Sequence, residues 1–126
     1  SYKYKVQAKA SRKIYAVDNG FIGTGFNFSP DYGKLLENLV FIELVRRGYR
    51  PNLDLFYYRT RNGKEVDFVL KRGYKVEQLI QVCYSLDQVD TQKREESALS
   101  EAKEELSCKN SLIIIGENLE QWLLNK

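Results

Sequence analysis

The sequence predicts an α/β domain with a mixed sheet flanked by helices, and three observations carry that expectation. The first is a hairpin signature. Phe56-Tyr57-Tyr58-Arg59-Thr60-Arg61 and Lys64-Glu65-Val66-Asp67-Phe68-Val69-Leu70 are rich in aromatic and β-branched residues, and Asn62-Gly63 between them is the pair a two-residue type I′ turn prefers. The second is an amphipathic stretch from Thr91 to about Leu106 followed by the apolar run Leu112 to Ile115. A helix of that length between two strands implies a right-handed crossover and a parallel pair. The third is size: 126 residues make one domain that buries about 65% of its unfolded surface without disulfide staples.

Along the chain, residues 1–12 read as a basic linker or arm and residues 13–126 as the domain. The first thirteen residues hold Lys3, Lys5, Lys9, Arg12 and Lys13 with no acid. They suit phosphate contact, or equally a solvated connector. Lys13 to Asp18 alternates as a short strand, and Asn19-Gly20 ends it. The glycines at 20, 23 and 25 lack the spacing of a dinucleotide fingerprint and precede no immediate helix. Asn27-Phe28-Ser29 is read as a turn entering Pro30.

After Pro30, Asp31 caps a helix that runs through Leu35, Leu36, Leu39, Val40, Ile42, Leu44 and Val45 until Gly48. It is apolar on almost every side, so Glu37 and Glu43 should be desolvated unless a charged group meets them. Leu79 to Tyr84 is a third strand after a turn at Gly73. Asn118 to Leu124 is a short helix that packs Leu119, Trp122 and Leu123 onto the body. The order is helix, three strands as a meander, helix, strand.

Composition removes several chemistries. There is no histidine, which excludes Ser-His-Asp and Cys-His nucleophiles and the histidine-dependent zinc motifs. Cys83 and Cys108 form no CxxC pair and no secretory signal opens the chain, so a reducing, cytoplasmic setting is expected. No apolar run approaches the length of a membrane span. Methionine is missing even at position 1, from which we expect a piece of a longer protein. The net charge of +3 is uneven: residues 1–50 hold nine Lys and Arg against four Asp and Glu, which leaves nucleic acid open as a partner.

Alternation along the strands puts Glu65, Asp67 and Val69 on one sheet face, and Leu79, Gln81 and Cys83 on one face of the third strand. With those faces aligned, Asp67, Gln81 and Cys83 meet, and a helix laid above adds Glu37. Carboxylate and amide oxygens are hard ligands suited to Mg²⁺ or Mn²⁺. The competing reading pairs the same acids with Lys34, Lys64, Arg46 or Arg59 in structural salt bridges.

Several segments resemble one family: Lys13 to Gly20, Gly33-Lys34-Leu35-Leu36-Glu37-Asn38-Leu39-Val40-Phe41, Gly63-Lys64-Glu65-Val66-Asp67-Phe68-Val69, Ile80-Gln81-Val82-Cys83-Tyr84 and Lys93-Arg94-Glu95. Together they are similar to the C-terminal PD-(D/E)XK nuclease-like domain of archaeal and bacterial AAA-type ATPases. The resemblance implies a restriction-endonuclease-like αβββαβ core and an upstream P-loop ATPase, with a winged-helix segment. It places metal-binding groups at Glu37, Asp67 and Gln81 and a charge-stabilising lysine at the position of Cys83. Here Gln81 removes a negative charge and Cys83 a positive one. Losing one preorganised electrostatic group costs about 10²–10³-fold in rate; Lys64, Lys71 and Lys75 are the candidate substitutes, and neither Lys71 nor Lys64 is persuasive.

The expectation is therefore a catalytically degenerate module that binds DNA or regulates its ATPase, with Glu37, Asp67, Gln81 and Cys83 as the vestigial site. Tyr57, Tyr58, Tyr74 and Tyr84 are candidates to lie against nucleic acid, with ordinary strand packing the expected reading for at least half of them. The alternatives are an active Mg²⁺-dependent endonuclease with an altered active site that uses a displaced lysine or solvent, and a pure protein-interaction domain.

Overall fold

The computed structural model describes residues 32–125. The arm 1–12, the strand Lys13 to Asp18, the glycine loop and the Asp31 cap lie outside the described residues. Helix α1 (Tyr32–Arg46) leads into strands β1 (Leu55–Arg59), β2 (Glu65–Arg72) and β3 (Lys75–Val82). Helix α2 (Val89–Leu106), strand β4 (Ser111–Ile114) and helix α3 (Leu119–Leu124) complete the order. The sheet order is β1-β2-β3-β4. The first two pairings are antiparallel, and β3 with β4 is parallel across the α2 connection.

Both helix ends in the body close by backbone capping. Gly48 (φ 102°) follows α1, and Tyr49 N–H donates to Leu44 O at 3.0 Å. Glycine suits this because positive φ carries no Cβ penalty. Ser107 (φ 53°) does the same after α2, where Cys108 N–H donates to Lys103 O at 3.0 Å.

The β1–β2 turn differs from the expected type I′ pair. Gly63 N–H donates to Thr60 O at 2.9 Å and Thr60 N–H to Lys64 O at 2.7 Å. Gly63 has φ 82° while Asn62 stays out of the positive-φ region. This is a three-residue loop of a type I turn followed by a bulged glycine, which needs left-handed backbone at one position rather than two. The hairpin tip is tied to α2: Thr60 Oγ1 donates to Glu101 at 2.8 Å, Asn62 Nδ2 to Glu101 at 3.2 Å, and Tyr58 OH to Glu105 at 2.5 Å.

Two apolar clusters sandwich the sheet. On one face Ala98, Leu99, Ala102 and Leu106 of α2 pack on Phe56, Tyr58, Val66, Val69, Val76 and Leu79. On the other, Leu36, Val40 and Leu44 of α1 pack on Leu55, Phe68, Leu70, Ile80, Val82 and Ile114, with Leu119 and Trp122 at the margin. The mixed, helix-flanked sheet is the arrangement expected from the sequence.

Strict alternation fails at one place that matters for the site. Phe56 pairs with Val69 and Tyr58 with Val66, so Asp67 and Phe68 together oppose the single residue Tyr57. This β-bulge shifts the parity of β2. Val66 and Val69 consequently share one cluster, and the expected common face of Glu65, Asp67 and Val69 does not form.

Strand packing accounts for two of the four candidate tyrosines, the share expected from the sequence. Tyr57 and Tyr58 are buried in β1, whereas Tyr74 and Tyr84 are exposed. Tyr84 stacks on Tyr32 with ring centroids 5.1 Å apart. Burial and a hydrogen bond to Glu65 push the Tyr57 hydroxyl upward in pKa. Glu43, expected to need a cation, has two: Arg46 Nε and Nη2 donate to it at 2.8 and 2.7 Å, and Arg47 Nε at 2.8 Å. The Arg46 hydrogen bond leads the effects that hold its carboxyl at about 2. Among the described residues no helix is long and apolar enough to cross a membrane, and Cys83 and Cys108 are free thiols.

Candidate functional site

The bulge sits where β2 and β3 stop pairing regularly. The register Leu70↔Gln78, Val69↔Leu79, Phe68↔Ile80 continues no further toward Asp67. Side chains replace the missing ladder. Gln81 Oε1 accepts from Asp67 N–H at 2.9 Å, and Gln81 Nε2 donates to Glu65 O at 2.9 Å. Asp67 Oδ2 in turn accepts from Val82 N–H at 2.8 Å. Buried backbone groups must find partners, and here two long polar side chains supply them across the gap.

The structure thus brings Asp67 and Gln81 together but gives the glutamine amide a backbone task. Its side chain is only 1% exposed, with one bond from each end of the amide. A cation at Oε1 would compete with the Asp67 N–H. Glu37 stands on α1. At about 100° per residue it falls about 20° from Leu44 around the helix axis, on the flank that packs against the sheet. Among the described residues there is no group of three or more His, Cys, Asp or Glu side chains placed to hold a metal ion.

Beside the gap, on the α2 side, lies a cavity of about 300 Å³ lined by Lys64, Glu65, Asp67, Arg94, Glu95 and Ala98. Glu37 is not part of this lining. Cys83 is half-buried at the end of β3, its N–H donating to Ile114 O at 3.0 Å. Burial, reinforced by the negative charges of Glu95 and Asp67 and opposed by Arg94, pushes its thiol up to about 11. A thiol so placed is neutral at physiological pH and supplies no positive charge.

Of the lysines weighed as substitutes, Lys64 is among the residues lining this cavity. Lys64 Nζ bonds Ser97 Oγ and pairs with Glu101 at 2.9 Å. Lys71 is buried over the Phe56 ring at 5.5 Å, and Lys75 is exposed near the β2–β3 turn. Arg94, from the first half of α2, is a second cation in the cavity lining. Sequence reasoning missed it. The visible signal was the four-residue spacing of Arg94 and Ala98, which puts the arginine above a buried alanine on the sheet-facing side of an amphipathic helix.

Residues 32–125 match the domain of unknown function DUF4143. The chain belongs to the DUF4143 family. DUF4143 is a C-terminal PD-(D/E)XK-like domain associated with AAA-type ATPases. An uncharacterized protein of Methanocaldococcus jannaschii is 40% identical over 110 residues, which covers 87% of this chain and 24% of that protein. An uncharacterized protein of Haemophilus influenzae is 32% identical over 79 residues, 62% of this chain and 18% of that protein. The chain therefore spans about a quarter or less of the curated relatives it matches. No solved structure matches it.

Proposed function

We propose that this DUF4143 domain is a catalytically silent nuclease-fold module that recruits nucleic acid to, or regulates, an AAA-type ATPase. The supporting observation is the double role of the Gln81 amide. It closes the gap between β2 and β3 by bonding Glu65 O and Asp67 N–H, where a working site would direct an anionic ligand at a metal. Cys83 adds to this, since a neutral thiol cannot stabilise charge on an attacked phosphate.

Mg²⁺ fits this donor set poorly. Asp67 contributes one carboxylate oxygen to Val82 N–H and Gln81 both ends of its amide to β2, so no step is assigned to a metal. The net charge of the body bears on the partner as well. Residues 32–125 hold 14 Lys and Arg against 15 Asp and Glu, so phosphate contacts come from local clusters and from the basic N-terminal residues rather than from the domain as a whole. A reducing, cytoplasmic setting suits its free thiols.

One observation favours an active enzyme instead: Arg94 lines the cavity beside Asp67 and would serve as a displaced cation. The test is nicking of supercoiled plasmid with Mg²⁺ or Mn²⁺. The silent module leaves the plasmid intact. Metal-dependent nicking that disappears in both Asp67→Ala and Arg94→Ala overturns the proposal and assigns the cavity as an active site.

A further inference from the structure

A second cavity lies at the opposite end of the sheet. It has a volume of about 400 Å³ and sits between the C-terminal end of α1, the end of β2 and helix α3, with Arg46, Arg47, Arg72, Tyr49, Gln78 and Trp122 around it. Leu70 and Ile80 give it an apolar floor. Arg72 is five positions along β2 from Asp67, about 17 Å at strand rise, so this cavity is remote from the Asp67 gap.

Its guanidinium groups are held in place before any ligand arrives. Arg47 lies 4.4 Å from the Trp122 ring centroid, and its Nη2 donates to Trp122 O at 2.9 Å and Leu123 O at 3.4 Å. Arg72 lies 4.5 Å from the Tyr49 centroid. Arg46 is clamped by Glu43 through Nε and Nη2. A guanidinium carries five N–H donors, and these bonds leave donors over on Arg46 and Arg47. Among the described residues three cations face two carboxylates, Glu43 and Glu77, an excess of one positive charge. The half-buried amide of Gln78 adds a donor and an acceptor.

We propose that this cavity binds one nucleotide unit of a single-stranded nucleic acid, its phosphate on the guanidinium N–H groups and its base against the rings and guanidinium planes around Trp122 and Tyr49. Planar forks match phosphate oxygens in pairs, and the volume lies within the range of about 300–1,000 Å³ typical of ligand pockets. Bases stack on aromatic rings and on guanidinium planes alike. An acidic peptide would satisfy the charge but bring no base to stack on the rings and guanidinium planes, which is why a nucleotide is favoured. The inference deepens the recruitment half of the proposed function and rests on that reading.

Trp122 is the single tryptophan of the chain, so its emission reports on the cavity directly. The full chain is titrated with a short thymidine oligonucleotide, with thymidine monophosphate and with polyglutamate. The expected result is a saturable, salt-sensitive change with the oligonucleotide and none with polyglutamate. The monophosphate distinguishes a strand from a free nucleotide: binding as tight as the oligonucleotide's assigns the cavity to the free species and overturns the strand assignment. Arg46→Gln with Arg72→Gln removes charge-assisted bonds and weakens binding about tenfold or more, with an unchanged circular dichroism spectrum. No saturable change, equal binding by the double variant, or a polyglutamate response matching the oligonucleotide's overturns the proposal. Plasmid nicking reads the Asp67 gap independently, so either inference can fail without the other.

Discussion

Gln81→Glu tests the glutamine clamp most directly, because it restores the carboxylate that the family resemblance implies while keeping the side-chain length. In the native protein Nε2 donates to Glu65 O and Oε1 accepts from Asp67 N–H, both at 2.9 Å. The substitution keeps the acceptor but turns the donor into a second oxygen aimed at a carbonyl. One hydrogen bond is lost, about 1 kcal/mol, and a buried acceptor goes unsatisfied, about 1–3 kcal/mol. A new anion also enters a site that is only 1% exposed and next to Asp67. We expect the variant to be less stable than wild type by about 2–4 kcal/mol at neutral pH. The desolvated carboxyl has a raised pKa in the folded state, and when protonated it donates to Glu65 O. Its stability is therefore greatest at low pH and falls as pH rises through that raised value, so the gap to wild type narrows on acidification. Urea unfolding with and without Mg²⁺ at several pH values reads this out. A variant within about 0.5 kcal/mol of wild type at neutral pH refutes the clamp. One rescued specifically by Mg²⁺ shows instead that the gap is a metal seat.

Three further outcomes follow from other parts of the fold. Glu43→Gln removes the acceptor shared by Arg46 and Arg47 and costs about 1 kcal/mol, since Arg46 is largely solvent-exposed and the pair is screened; because the folded carboxyl sits at about 2 rather than 4.5, wild type holds this contribution above about pH 4.5 and loses it as pH falls toward 2, so the two unfolding curves converge in acid. Ser107→Gly relieves the left-handed backbone at the end of α2 and raises stability by about 0.5–1 kcal/mol, measured by thermal unfolding; a loss would show that the serine makes a compensating contact. Cys83, with its thiol moved from 9.0 to about 11, should be alkylated by iodoacetamide at pH 8 about a hundredfold more slowly than a model thiol, as followed by mass spectrometry; labelling at the rate of a free thiol contradicts the burial.

Local chemistry written in the chain was enough to reveal the order of elements. The 2-residue and 3.6-residue periods, Gly48 after α1, the turn before Lys64 and the apolar run at Leu112 each report on a few neighbouring residues. Those patterns also suggested that Asp67, Gln81 and Cys83 meet if the faces of β2 and β3 align. What they do not carry is the extra residue of β2 opposite Tyr57. A bulge depends on how two strands match each other, and alternation counted along one strand slides past it. The Gln81 clamp follows from that mismatch, because only an interrupted ladder leaves Glu65 O and Asp67 N–H in need of partners. Arg94 reached the Asp67 cavity, and Arg46, Arg47 and Arg72 came around Trp122, by the packing of helices from distant parts of the chain onto one sheet. Charge in a sequence can be counted. Which charges share a cavity is decided when α2 lies on one face of the sheet and α1 and α3 on the other.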